Sequence, residues 1–169
     1  RNQIDRLKGK MFWHRQGKGW SLDIEDLFLS RQGLSWPVTA IRMVYSTQGK
    51  DERPVLEGRV GFVRLHDINA LLHAHLPSKM KSTELVRALD LRGDLKGVEF
   101  RIEEDPVRKT QYYLKAAFQD FGYERWKKIP GVDGLDGSLL FNQTRGVINM
   151  ASANTTLDFG ELFRAPLLA

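Results

Sequence analysis

The chain has 169 residues, of which 41% are hydrophobic and 28% charged, values typical of a folded chain and not of wholesale disorder. No apolar run approaches the roughly 20 residues that a membrane-spanning helix requires. Cysteine is absent, which excludes disulfides, thiolate zinc sites and cysteine nucleophiles. The formal net charge is +5, but basic and acidic residues are interleaved, which favours an ordinary solvated surface over a dedicated nucleic-acid or lipid-headgroup patch.

Period-two alternation of apolar and polar residues predicts a mainly β fold, an antiparallel sheet with one apolar and one wetter face. Five runs alternate in this way, at residues 20–25, 41–45, 98–103, 112–119 and 148–151. Each run predicts a strand of about six residues, about 20 Å long. Between runs, stretches such as 16–19 and 31–33 contain glycine and predict hairpin turns.

Two short helices are expected to interrupt the sheet near residues 67–90. Asp67 is a candidate N-cap for a first helix, which Pro77 would stop. Ser82 is a candidate N-cap for a second helix with a buried apolar stripe. We expect this insert to lie over one end or edge of the sheet.

The tripeptide Leu-x-Gly precedes several of the strand-like runs. Its main copies lie about 40 residues apart, a period typical of stacked repeats, although two common residue types can also recur by chance. In each copy the glycine is expected to let the backbone bend or bulge as a strand begins. The copies occupy residues 7–9, 56–58, 91–93, 95–97 and 135–137.

Histidines and carboxylates provide the main candidates for chemistry. His66 and Asp67 precede His73 and His75, but two zinc-binding histidines on one helix face should be four residues apart, so no metal site is predicted. Two carboxylate clusters are expected on the solvated sheet face and in a turn, not facing each other across a cleft. They comprise Asp23, Glu25 and Asp26, and Glu103, Glu104 and Asp105.

Other catalytic and nucleotide signatures are missing from the sequence. Gly131, Gly134 and Gly137 do not form a phosphate loop, and no serine has a nucleophile-elbow context. Aromatic residues next to arginine, such as Trp13 near Arg15, would suit single-stranded nucleic acid, but no known binding pattern accompanies them. We therefore predict no catalytic residues, no cofactor and no nucleic-acid partner. The remaining candidate is an apolar sheet face, which would meet another protein layer or acyl chains.

Both ends of the chain carry patterns that resemble the YhdP group of AsmA-like proteins. The C-terminal pattern starts as Pro-Gly-Val-x-Gly-Leu-x-Gly-x-Leu at 130–139 and ends as Leu-Phe-Arg-x-Pro-Leu at 162–167. The hairpin turn 142–145 is short and polar, and Asn154 stands where the group commonly has an acid. Further matching positions are Trp13, Arg15, Gly19, Trp20, Leu22, Leu27, Leu29, Gly33, Trp36, Pro37, the strand after the insert at 93–95, Gly146, Ile148, Met150, Leu157 and Asp158.

This resemblance implies a fold and a function. The fold would be a curved antiparallel sheet of repeated hairpins that forms an apolar groove, with residues 1–169 as one groove segment of a larger protein. The function would be to carry phospholipid across the periplasm between the inner and outer membranes, in support of the outer-membrane permeability barrier. A segment outside this chain would provide the inner-membrane anchor, and neighbouring repeats would be further partners.

Ten apolar residues on the alternating runs are the candidates for contact with acyl chains. Any of them could instead be ordinary core beneath the helices. The alternative function is a structural or interaction module that pairs with neighbouring repeats or partner proteins and carries no lipid. The ten candidates are Leu22, Ile24, Ile41, Met43, Phe100, Ile102, Leu114, Phe118, Ile148 and Met150.

Overall fold

The structure, a computed structural model, describes residues 4–49, 52–68, 90–105, 110–126, 129–160 and 167–168. Within these ranges eleven strands form one open antiparallel sheet, so the mainly β prediction is confirmed. The strands are β1 (Arg6–Gln16), β2 (Gly19–Arg31), β3 (Leu34–Ser35), β4 (Thr39–Gln48), β5 (Arg53–Arg64), β6 (Arg92–Glu103), β7 (Gln111–Tyr123), β8 (Gly131–Asn142), β9 (Gly146–Met150), β10 (Thr156–Asp158) and β11 (Leu167–Leu168).

Strand order in the sheet follows the chain closely. The main path runs β1-β2-β4-β5-β6-β7-β8-β10-β11, with β3 paired to β2 and β9 paired to β8. The connections β1–β2, β4–β5, β6–β7 and β8–β9 therefore share one end of the sheet, which we call the hairpin rim. At the other end, the insert end, β5 leads into a helical turn at residues 65–68.

The sheet is a single layer in the described part of the chain. Extensive contacts between strands join only neighbours in the sheet, so no second sheet packs against it there. Few apolar side chains are buried as a result, and Val55 is the sole described one that is fully enclosed. The densest cluster lies at the insert end and comprises Leu27, Trp36, Phe62 and Leu65.

The strands are longer than the sequence pattern predicts. Strands β2 and β7 each have 13 residues, about 43 Å, against the six expected. Bulges are the reason, because an extra residue breaks the alternation and makes one long strand read as two short runs. Asp26 on β2 (φ 51°) and Asp120 on β7 (φ 50°) lie at such register shifts. Bulges also bend strands, consistent with the expected curvature.

The predicted N-cap role of Asp67 is wrong. The helical turn begins at residue 65, so Asp67 is its third residue. Its two carboxylate oxygens accept hydrogen bonds from Arg31 Nη1 at 2.9 Å and Trp36 Nε1 at 2.7 Å, so they satisfy side chains of other elements and not the first amides of a helix. The rest of the predicted insert, including Ser82 and the second helix, lies outside the described residues.

Candidate functional site

Cross-strand register decides which side chains share a face, because directly opposed residues in an antiparallel ladder point the same way. Leu22 on β2 lies opposite Trp13 on β1 and Met43 on β4. We call the face that carries this row the apolar face, and the opposite one the charged face. Across the sheet the row contains Trp13, Leu22, Met43, Gly58, Phe100, Leu114, Phe141 and Gly146.

Parallel rows extend the apolar face on both sides of this one. One further row contains Met11, Ile24, Ile41, Val60 and Val98, and its counterpart on β7 to β9 contains Ala116, Leu139 and Ile148. At the hairpin rim the row contains Arg15, Trp20, Tyr45, Leu56, Ile102 and Tyr112. Arg15 is the one charged residue in these rows, so the apolar face is uncharged between the rim and the bulges.

The register places all ten predicted contact residues on the apolar face. It brings together side chains from β2, β4, β6, β7 and β9 that are up to 128 positions apart in sequence, from Leu22 to Met150. Their exposure differs: Met150 is 67% exposed and Phe118 only 6%. Phe118 therefore belongs to the packed floor of the face, whereas Met150 is open to a ligand. That these residues contact lipid stays a prediction.

Sequence reasoning missed several residues of the apolar face. Strands β1, β5 and β8 supply Met11, Trp13, Leu56, Leu139 and Phe141, none of which was predicted. Their strands alternate poorly, since glycines interrupt the apolar positions and apolar side chains such as Phe12 occupy the charged face. The available signal was Leu-x-Gly, whose leucine and glycine are two positions apart and therefore share a face.

Two glycines of this tripeptide, Gly58 and Gly137, lie next to aromatic rings on the apolar face. Gly58 lies directly opposite Phe100, and a Cβ at Gly58 would collide with that ring. Gly137 lies opposite Phe118, and a Cβ added there would collide with the backbone oxygen of Asn149 and lie 2.8 Å from the Phe118 Cζ. In both pairs the ring lies across the neighbouring strand. The copies at 56–58 and 135–137 therefore lie within strands. Gly93 and Gly97 have positive φ (97° and 57°) at register shifts of β6, as the prediction of a bulge requires.

Basic side chains lie next to four of the six carboxylates in the predicted clusters. Asp23 lies 3.6 Å from Arg42, and Asp26 lies 3.7 Å from Lys10. At the hairpin rim, Arg53 bridges Glu103 and Asp105 at 2.9 and 3.5 Å. Asp23 and Asp26 have basic partners on the exposed sheet surface, as the solvated-face interpretation predicts. The side chains of Glu103 and Asp105 are largely buried beside Arg53, with 15% and 9% exposed.

The insert end of the apolar face is closed by a buried polar cluster. Arg31 and Asp67 are each only 8% exposed, and their ion pair spans 2.9 Å. The Trp36 ring, which donates to Asp67, packs edge-on against Phe62 with ring centroids 5.5 Å apart. Because both charges are paired and hydrogen-bonded, the cluster can hold residues 65–68 against the sheet despite the cost of burying ions.

A stacked aromatic ladder crosses three strands at the opposite rim. The Trp13 and Trp20 rings are 4.9 Å apart and inclined by 19°, and Trp20 and Tyr45 are 6.0 Å apart and inclined by 17°. Stacked pairs of this kind add about 0.5–1.5 kcal/mol each beyond their buried area. The ladder therefore fixes the ring positions next to Arg15.

Metal-ligand groups and bilayer-spanning helices are absent from the described residues. These residues contain no group of three or more histidine, cysteine or acidic side chains placed to hold a metal ion. His73 and His75 lie outside the described residues. No described helix is both long enough and apolar enough to span a bilayer.

Comparison with known proteins agrees with the resemblance noted in the sequence. The family model described as YhdP protein matches residues 1–169, the whole chain. The Escherichia coli (strain K12) protein named intermembrane phospholipid transporter YhdP is 23% identical over 165 residues, which cover 90% of this chain and 12% of that protein. No solved structure matches significantly. The chain belongs to the YhdP protein family.

Proposed function

We propose that this chain is one groove segment of a periplasm-spanning bridge that carries phospholipid between the inner and outer membranes. The observation that supports this most directly is the apolar face, which runs uncharged across β1 to β9 between the hairpin rim and the bulges. The family relative named as an intermembrane phospholipid transporter supports the same cargo. In this proposal the larger protein supports the outer-membrane permeability barrier and is anchored in the inner membrane outside this chain.

The proposed mechanism is passive and requires no catalytic group. Acyl chains lie on the apolar face while headgroups stay in water, and each buried methylene contributes about 0.8 kcal/mol. Because adjacent strands present similar rows of Leu, Ile, Met and Phe, neighbouring positions are nearly equal in energy and a lipid can move between them over small barriers. A charge within the face would break this continuity, because an unpaired ion is costly to remove from water.

Photo-crosslinking in cells tests the proposed cargo. A photoreactive amino acid at Ile148 (51% exposed) or Met150 should capture phospholipid, because both side chains project from the apolar face. The same amino acid at Asn149, between them on β9, projects from the charged face and is the matched control. Equal lipid capture at Ile148 and Asn149 would contradict a face-specific groove.

Charge insertion tests whether the face must be uncharged. Met43→Asp on β4 should weaken the outer-membrane barrier, measured as sensitivity to detergent, at an unchanged protein level. Arg42→Asp, the adjacent residue on the charged face, should leave the barrier intact. The proposal fails if Met43→Asp accumulates normally and the barrier is unaffected.

The alternative, an interaction module without lipid cargo, draws support from the edge strand β1. It pairs with β2 on one side only in the described structure, and its residues are exposed along the whole strand. An open edge can pair with a neighbouring repeat or a partner strand. This alternative predicts protein crosslinks at Ile148 and no phospholipid bound to the purified protein, which native mass spectrometry would detect.

A further inference from the structure

The hairpin rim differs chemically from the interior of the apolar face. The rim row contains Trp20, Tyr45 and Tyr112, whereas the next rows inward contain mainly Leu, Ile, Met, Val and Phe. Trp and Tyr combine an apolar ring with a polar edge, and they concentrate where hydrocarbon meets headgroups in membranes. The same sorting of residue types occurs here along β2, β4 and β7, whereas β5 and β6 carry Leu56 and Ile102 at the rim.

The rim row ends on β1 with a cation, Arg15. Arg15 lies directly opposite Trp20, is exposed, and forms no ion pair with any described residue. By contrast, Arg42 on the charged face lies near Asp23. An unpaired guanidinium beside an apolar surface complements a phosphate group, which it can bind in bidentate geometry.

At the insert end, by contrast, packed side chains close the apolar face on β2 and β5. There Leu27, Trp36 and Phe62 are buried, and Arg31 is paired with Asp67. The Arg64 guanidinium, which lies 5.7 Å from the centre of the Phe62 ring, is paired with Asp94, and Lys96, opposite Phe62, donates a hydrogen bond to Gln119. A headgroup at this end would have to displace packed side chains. An acyl-chain terminus at this end meets the buried side chains of Leu27 and Phe62.

The distance between the two ends suits one acyl chain. Leu27 lies seven positions after Trp20 along β2, about 23 Å of strand. A lipid tail in a bilayer spans about 15 Å, half of the roughly 30 Å hydrocarbon core. A chain aligned with the strands therefore fits between the aromatic rim and the closed end.

We infer that phospholipids lie on this face in one orientation, with their phosphates along the hairpin rim beside Arg15 and Trp20 and their acyl chains directed towards the insert end. This inference rests on the proposed function and adds the polarity of the cargo. Arg15 positions the phosphate, while the ladder of Trp13, Trp20 and Tyr45 contacts the glycerol region. Phospholipid is the occupant because the surface pairs one cationic, aromatic rim with an extended uncharged floor.

Two photoreactive forms of phosphatidylethanolamine test the orientation in the purified intact protein. One carries a diazirine on the headgroup, the other at the end of an acyl chain. The headgroup probe should label Arg15, Trp20 or Tyr45. The tail probe should label Leu27 or Phe121, which lies at the insert end of β7 with its ring 5.7 Å from that of Phe118. Fragmentation of each labelled peptide identifies the modified residue, since Trp20 and Leu27 share one tryptic peptide. The reverse distribution, or equal labelling of both ends by both probes, overturns the orientation while leaving the lipid cargo intact. If neither probe labels the protein, the proposed function itself is contradicted.

Arg15→Gln tests the role of the cation. Headgroup labelling at the rim should fall about threefold, a modest effect because water screens an exposed ion pair. Tail labelling should stay unchanged, since the floor of the face is intact. Arg42→Gln, which removes a cation from the charged face, should change neither. Equal effects of the two variants would mean that net charge attracts the lipid, and the assignment of Arg15 would be wrong.

Discussion

At the scale of single residues, the apolar face depends on where side chains are missing as much as on which are present. Gly58 and Gly137 leave room for the Phe100 and Phe118 rings to lie across neighbouring strands. A ring in this position covers backbone that would otherwise be exposed, and it does not project away from the sheet. Without projecting rings, the apolar face presents fewer steric obstacles to the acyl chains that are proposed to move along it.

Gly58→Ala should destabilise the chain by about 1–2 kcal/mol in urea unfolding, because the new methyl group forces the Phe100 ring out of place. The backbone is not the obstacle, since Gly58 has no positive φ. The control is the same substitution in a Phe100→Leu background, where the ring is gone and most of the penalty should disappear. Equal penalties in both backgrounds would show that the ring does not depend on the glycine.

Asp67→Ala should destabilise the chain by about 3 kcal/mol, because it leaves the Arg31 guanidinium buried without its carboxylate and removes the acceptor of Trp36 Nε1. Lys18→Ala removes one partner of an exposed ion pair with Glu52, and its effect should stay below about 1 kcal/mol. Chemical denaturation of both variants checks the contrast. Similar unfolding free energies would mean that the buried cluster does not hold the insert end together.

At the scale of elements, bulges explain most of what the sequence pattern misjudged. Alternation from Trp20 to Glu25 correctly predicts the face of Leu22 and Ile24, but Asp26 adds a residue and the pattern restarts at Leu27. Strand β7 repeats this at Asp120, whose amide donates to Asp136 Oδ1. The apolar alternation is interrupted at the bulge, although the strand pairing continues past it. The sequence pattern therefore predicts two short strands where the chain forms one long strand.

Asp26→Gly should be neutral or stabilising by up to about 1 kcal/mol, because glycine adopts the positive φ of 51° without steric cost. Asp26→Val should destabilise by about 1–2 kcal/mol, since a branched side chain is strained there. Asp23→Gly, in regular strand backbone on β2, should instead destabilise by about 0.5–1 kcal/mol. Thermal unfolding of the three variants is the measurement, and the same sign for Asp23→Gly and Asp26→Gly would contradict the bulge assignment.

At the scale of the whole molecule, the sheet is amphipathic and one layer thick over the described residues. Its charged face is covered by ion pairs such as Arg42–Asp23 and Arg101–Glu57, whereas its apolar face exposes large side chains including Met11, Trp13 and Met150. Exposed apolar patches of this kind are unusual on a protein without a ligand or partner. The architecture therefore matches a surface that is filled in use.

The purified chain should self-associate in lipid-free buffer and become monomeric when a short-chain phospholipid fills the apolar face. Sedimentation velocity in the two conditions measures this directly. Replacement of Ile148 and Met150 by Thr should reduce self-association, because both side chains are exposed on that face. The matched pair Val147 and Asn149, on the charged face of the same strand, should have no effect when replaced by Thr. A chain that is monodisperse without lipid and binds none would contradict this reading.

The sequence by itself determined the class of fold, the hairpin turns and the side of each alternating run that is apolar, because these depend on neighbours one or two positions apart. It also carried the family resemblance, which the comparison confirmed over the whole chain. Only the tertiary structure decided which runs lie side by side, that Arg15, Trp20 and Tyr112 share one rim, and that Asp67 binds Arg31 and Trp36. Those relations join residues that are distant in sequence, through register and bulges that period-two alternation does not encode.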